Sequence, residues 1–136
     1  MIIGYTTGTY DLFHYGHVEF LKKAKSMCDK LIVGVTSDEL GFEEKKKYPI
    51  INTKNRIKVV ESCKYVDLVV VHNDKNGDKI TPYKKFKFDY VFIGDDYIND
   101  PNYTELNSKI PVKVIFLPYT TTISSSKIRE NLNLDY

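Results

Sequence analysis

Cysteine is scarce in this chain: Cys28 and Cys63 are the only two among 136 residues. They lie far apart and in no metal-like spacing, so neither a disulfide-stapled scaffold nor a zinc site is expected, and they read as thiols of a reducing compartment. Long apolar runs are lacking too. No stretch approaches the ~20 residues that cross a bilayer, and the first residues lack the basic region, apolar core and small-residue cleavage site of a secretory leader. The expectation is a cytoplasmic protein with no membrane partner. Nor is there an excess of one charge. Twenty Lys and Arg against eighteen Asp and Glu leave a formal net charge of +2, so nothing global calls for nucleic acid, and any basic site must be local. There is no internal repeat, low-complexity tract or linker, and the length suits one domain, residues 1–136.

What is present is an alternation of strands and helices. Residues 1–7 are β-prone and end at Gly8. Phe20, Leu21, Ala24 and Cys28 then recur at helical spacing. Leu31 to Val35 is a continuous apolar run, as in a strand buried on both faces. Residues 41–54 are polar, Lys-rich and contain Pro49, which reads as a surface loop or lid. A helix is predicted over 54–63 with Thr53 as its cap, a strand over 66–71, a turn over 73–77 and a short helix around 82–86. Strands at 90–93 and 112–117 and a helix over 124–132 complete the order. The pattern predicts an α/β fold: a single domain with a five-stranded parallel sheet and helices on both faces. Ligands of such sheets bind beyond the carboxyl ends of the strands. Segments 9–17, 94–97 and 119–126 should therefore converge there.

Four clusters carry chemistry. In the first, Gly8 lets the chain turn tightly and leaves amides free to approach an anion. His14 and His17 then lie three apart at a helix start, with Gly16 between them, and as imidazolium donors suit a polyphosphate. Only three histidines occur in the chain, and metal ligation by this pair lacks further His or Cys partners. The second cluster, Ile123-Ser124-Ser125-Ser126-Lys127-Ile128-Arg129, brings hydroxyls and free N–H groups to another helix start. The third is Lys45-Lys46-Lys47 in the expected lid, where a mobile lysine suits phosphoryl chemistry. In the fourth, Gly94-Asp95-Asp96-Tyr97, paired carboxylates suit Mg²⁺ or a ribose.

Together these segments resemble a known family. Gly8 to His17 (GTYDLFHYGH) is similar to the N-terminal motif of the HxGH nucleotidyltransferases. Val35 to Glu39, Arg56, Lys64 to Asp67, Gly94 to Tyr97 and the stretch from Leu117 through Ile128 are similar to its cytidylyltransferase branch, above all the glycerol-3-phosphate enzymes of bacteria. The resemblance implies a Rossmann-like homodimer that joins CTP, with Mg²⁺, to a small phosphorylated alcohol, in the synthesis of cell-envelope or polysaccharide precursors. Glycerol 3-phosphate is the first acceptor to expect, then ethanolamine phosphate, choline phosphate or another polyol phosphate. By the same resemblance His14, His17 and Lys46 are catalytic, and Gly8, Thr9, Tyr10, Gly16, Asp96, Tyr97, Thr120, Ile123, Ser124 and Ser125 bind the nucleotide. Asp11, Arg56 and Lys64 lie on the substrate side. Three positions depart from the pattern: Tyr119 and Lys64 stand where the family has arginine, and Glu44 where it has a lid lysine. An adenylyltransferase of the same superfamily and a catalytically silent nucleotide-binding subunit are the alternatives.

Overall fold

The computed structural model describes residues 1–118 and 124–132. Five strands, β1 (Ile3–Gly8), β2 (Lys30–Thr36), β3 (Leu68–His72), β4 (Tyr90–Gly94) and β5 (Lys113–Leu117), form one sheet in the order β3-β2-β1-β4-β5. Every neighbouring pair is parallel. The chain winds outward from β1 to β3 and then crosses to β4 on the other side of β1, which is the doubly wound arrangement expected.

The order reverses between β1 and β4, and here the pairing is short. Gly4 pairs with Tyr90 and Tyr5 with Val91. Beyond them Thr6 Oγ1 bridges the strands by donating to the Phe92 carbonyl at 2.8 Å. Strands that part at a switch point leave a crevice at their carboxyl ends.

Side-chain alternation along β2 divides the core. Leu31, Val33 and Val35 face one way and pack with Leu21 and Ala24 of helix α1 (Tyr15–Ser26) and Val60 of α3 (Thr53–Glu61). Ile32 faces the other way, with Tyr5, Phe88, Leu106 and Ile110. Tyr83 and Phe86 of α4 (Ile80–Phe86) cover that second cluster. Both faces of the sheet are thus buried, as its unbroken apolar strands require. Cys28 and Cys63 are free and half-buried. No described helix is long and apolar enough to cross a membrane.

Several boundaries differ from the sequence reading. The expected loop 41–54 begins inside a helix, α2 (Asp38–Lys45), whose cap Ser37 accepts from the Leu40 N–H at 3.0 Å. Asn52 rather than Thr53 caps α3, accepting from the Asn55 N–H at 2.9 Å. Strand β3 starts two residues late: Val66 still closes a turn onto the Cys63 carbonyl, and Asp67 makes the first N–H contact across to the Leu31 carbonyl of β2. A short helix, α5 (Pro101–Thr104), occupies a stretch for which the sequence supports no assignment, and α6 (Ser125–Asn131) closes the described chain.

Candidate active site

A cleft of ~540 Å³ opens at the carboxyl ends of the strands. The three segments expected to converge, the loop after β1, the turn after β4 and the start of α6, all contribute to its walls, joined by residues at the ends of β2 and β3, before α4 and in 100–103. Two backbone positions give the β1 loop its shape. Tyr10 and Leu12 have φ of 55° and 51°, a left-handed conformation that non-glycine residues adopt at an energetic cost and that concentrates at functional loops. The Tyr10 ring turns back into the core, where it is 6% exposed. It lies directly over Gly8, so that a Cβ there would sit 2.9 Å from its ring. Gly8 is glycine because of Tyr10.

The histidine pair is built as a helix cap. His14 is the N-cap of α1, and its Nδ1 accepts from the Gly16 N–H at 3.0 Å. His17 Nδ1 accepts in return from the His14 N–H at 3.0 Å. This is the reciprocal arrangement of a capping box, with two imidazoles in place of hydroxyl and carboxylate. An Nδ1 that accepts carries no proton, so each neutral ring holds its proton on Nε2. Burial keeps both rings neutral: it lowers the pKa of His14, and it pushes His17 down to about 4, helped by the neighbouring His14 and opposed by Asp11. The sequence reading of two imidazolium cations is therefore corrected to two neutral Nε2–H donors. Their ring centroids are 3.9 Å apart, and Phe13 stacks on His17 at 5.2 Å. His17 lines the cleft.

The other walls are tied to the same loop. The Ser125 hydroxyl donates to the Asp11 carbonyl, which draws the start of α6 against the β1 loop. Ser124 caps α6, accepting from the Lys127 N–H at 3.1 Å. Asp11 is buried, and its carboxylate accepts from the Ile50 and Ile51 N–H groups at 2.9 and 3.0 Å, with Arg129 Nη1 3.7 Å away.

With a β1 loop, a histidine-capped helix and a serine-started helix around one switch-point cleft, comparison with known proteins is direct. Residues 5–131 match the family model described as "Cytidylyltransferase-like". The chain belongs to the cytidylyltransferase-like family. It is 38% identical over 128 residues, 93% of this chain and 92% of the relative, to a glycerol-3-phosphate cytidylyltransferase of Staphylococcus aureus. Over 68 residues, 49% of this chain and 19% of the relative, it is 48% identical to an ethanolamine-phosphate cytidylyltransferase of Dictyostelium discoideum. Among solved structures, a lipopolysaccharide core biosynthesis protein from Thermoplasma volcanium superposes with a TM-score of 0.72 at 29% identity, covering 88% of this chain and 97% of that one.

In this cytidylyltransferase-like chain not every expected residue reaches the cleft. Gly8, Thr9, Tyr10, Asp11, His17, Tyr97, Ser124 and Ser125 line it. Gly16 and His14 stand beside it through the cap just described. Asp96 is exposed in the turn after β4, next to Tyr97. Thr120 and Ile123, like Tyr119, lie outside the described residues. Lys46 ends α2 in a left-handed cap with φ 58°, and it is Glu44 and Lys45 that line the cleft from this helix.

Two residues expected on the substrate side, Lys64 and Arg56, do not line the cleft. Lys64 is exposed four residues before β3, at the amino ends of the strands and so across the sheet from the cleft, with its Nζ 5.3 Å over the Tyr65 ring. Arg56 is 1% exposed and directs all five N–H groups at the protein itself. Nε donates to the Ile51 carbonyl at 2.7 Å and Nη1 to the Thr9 and Thr36 carbonyls, both at 2.7 Å. Nη2 donates to Asp38 Oδ1 at 2.8 Å and Thr53 Oγ1 at 3.3 Å. It is a positioning residue that joins the β1 loop, the end of β2 and the starts of α2 and α3.

Among the cleft residues that the sequence reading did not name, two are buried and basic. Lys79, the residue before α4, and His72, the last of β3, both line the cleft and are 2% and 5% exposed. A lone lysine in a chain with twenty basic residues carries no sequence signal of burial. Among the described residues there is no group of three His, Cys, Asp or Glu able to hold a metal.

Proposed function

We propose that the protein transfers the cytidylyl group of CTP to the phosphate of a small phosphorylated alcohol, first glycerol 3-phosphate, giving CDP-glycerol and pyrophosphate. The observation that carries this reading is the reciprocal His14–His17 cap, which presents donors beside a switch-point cleft in a chain matching the Staphylococcus aureus relative over 93% of its own length. A phosphate oxygen of the acceptor attacks the α-phosphorus of CTP in line. A new P–O–P bond forms as the α–β bridge breaks, and pyrophosphate leaves with the electron pair. The second pKa of a phosphate monoester is about 6, so the attacking oxygen needs no general base. The residues align two anions and oppose the charge that develops on the α-phosphoryl oxygens and the leaving group. His14 and His17 donate through Nε2, the amides of the β1 loop approach the triphosphate, and Lys45 or Lys46 approaches from the end of α2. Mg²⁺ bound to the nucleotide would lower the charge of the leaving pyrophosphate.

The match to the Dictyostelium discoideum relative over half the chain supports ethanolamine phosphate as the second acceptor. We further propose a cytoplasmic homodimer, which light scattering of the purified protein tests. The reaction itself is tested by pyrophosphate release from CTP or ATP with a panel of glycerol, ethanolamine and choline phosphates. Release with CTP that requires a phosphorylated alcohol supports it. Release with ATP in preference to CTP, or with no acceptor, refutes it.

A further inference from the structure

We infer that Thr6 is a positioning residue of the site: its hydroxyl, bonded to the Phe92 carbonyl, sets the distance between the two walls that CTP must span. This rests on the cytidylyl-transfer reading and goes further by naming the group that holds two halves of the sheet in register for it.

The pairing pattern divides the sheet into two blocks at its carboxyl end. β1 stays laddered to β2 as far as Gly8 opposite Val35, and β2 to β3 as far as Thr36 opposite His72. On the other side β4 stays laddered to β5 as far as Gly94 opposite Leu117. Between the blocks the ladder stops at Tyr5 and Val91. One residue further on, Thr6 Oγ1 donates to the Phe92 carbonyl at 2.8 Å in a buried bond. Thr7 and Gly8 follow on β1, Ile93 and Gly94 on β4, and all four line the cleft. The Thr6 bond is therefore the floor of the crevice.

Thr6 is 1% exposed, and a hydroxyl buried that deeply is costly unless it is bonded. Valine would have the same shape and bury no polar atom. What threonine adds at this position is one bond between the blocks. The buried Tyr10 hydroxyl interacts with the same side chain, so the ring that anchors the left-handed turn of the β1 loop meets the bridge as well.

The two blocks carry different parts of the site. The β1 block leads into Thr9, His14 and His17, which suit the polyphosphate. The β4 block leads into Asp96 and Tyr97, where carboxylates suit a ribose. A nucleoside triphosphate that reaches both spans the crevice, and its α-phosphorus is then placed by the distance between the blocks. The rim is tied separately, by the Ser125 hydroxyl on the Asp11 carbonyl. Without the Thr6 hydroxyl the ligand itself must hold the floor in register, so affinity falls by about what the bond contributes, ~2–10-fold. Alignment of the reacting atoms suffers more, since a shift of about 1 Å costs as much as ~10²-fold in rate.

The test compares wild type with Thr6→Val, which keeps the volume and deletes the donor, and with Thr6→Ser, which keeps the donor. CTP affinity, competition by inorganic tripolyphosphate, steady-state kinetics and melting temperature are read for each. Tripolyphosphate has no nucleoside and touches the β1 wall alone, so it reports on that wall without the spacing. Thr6→Val should bind CTP ~2–10-fold more weakly and lose ~10–100-fold in kcat. Its tripolyphosphate inhibition and acceptor KM should stay level, and Thr6→Ser should stay near wild type. Thr6→Ala takes the place of the valine variant if that one does not fold. A lowered melting temperature with normal CTP affinity and kcat would make the hydroxyl a strand fastener only and overturn the inference. Equal weakening of CTP and tripolyphosphate overturns it too, because the β1 wall itself would then be damaged. If wild type joins CTP to no phosphorylated alcohol, the proposed reaction itself fails and this assignment falls with it. Normal wild-type turnover that Thr6→Val leaves unchanged refutes the assignment alone.

Discussion

Replacing Arg56 by lysine separates a positioning role from a substrate contact. The guanidinium makes five hydrogen bonds to five acceptors in four elements of the fold. An ammonium has three donors and lacks the planar fork, so at least two bonds are lost. At about 1.5–3 kcal/mol for each bond from a charged group, the loss is ~3–6 kcal/mol. Against a typical total of ~5–15 kcal/mol, the variant folds with a reduced margin. The Thr9 carbonyl belongs to the loop that leads into His14, and a displacement of about 1 Å at a reacting group costs as much as ~10²-fold in rate. Urea unfolding followed by circular dichroism should show the loss of stability. Steady-state pyrophosphate release should show a large fall in kcat with KM values for CTP and acceptor little changed. An unchanged urea midpoint together with a raised acceptor KM would refute the reasoning, because Arg56 would then be touching substrate.

Other outcomes follow from the same geometry. His14→Ala and His17→Ala should each lose ~10²–10³ in turnover, as removal of one charge-stabilising donor does, and His14→Ala should also lose ~1 kcal/mol of stability with its cap. Folded variants with near-normal turnover would contradict the assignment. Stability should fall on acidification. His17 and His72 are both pushed down to about 4 from an ordinary 6.5, so between those values the unfolded chain binds more protons and stability rises with pH. Dropping from pH 7 to 5 should remove on the order of 2 kcal/mol per histidine, and identical urea midpoints at both values would count against it. Gly8→Ala drives a Cβ to 2.9 Å from the Tyr10 ring and should cost ~1–3 kcal/mol as overpacking. Unaltered melting would mean that Tyr10 moves freely aside.

The alternation of strands and helices was legible because the strands are buried on both faces and read as unbroken apolar runs. Runs such as Leu31 to Val35 need no tertiary information to be seen. Helix α2 was hidden because Gly41 and the polar residues after it look like a loop, while its start signal, Ser37 before two acidic residues, is short. The histidine pair stood out for its rarity and spacing. Its tautomer did not, since that depends on which nitrogen the backbone amides reach. Arg56 was recognised but its surroundings were not legible: a residue type that binds phosphate in one setting ties carbonyls together in another, and only burial and partners tell them apart. Lys79 was invisible for the same reason in reverse, one lysine among many whose difference lies wholly in its surroundings.

The most direct test of the central claim is phosphorus NMR of CTP mixed with glycerol 3-phosphate, Mg²⁺ and enzyme. The account predicts equimolar pyrophosphate and a cytidine diphosphoalcohol that retains both the α-phosphorus of CTP and the acceptor's phosphorus, with neither formed by the His14→Ala, His17→Ala double variant. Orthophosphate as the released product, a product lacking the acceptor's phosphorus, or undiminished turnover in a folded double variant would contradict it.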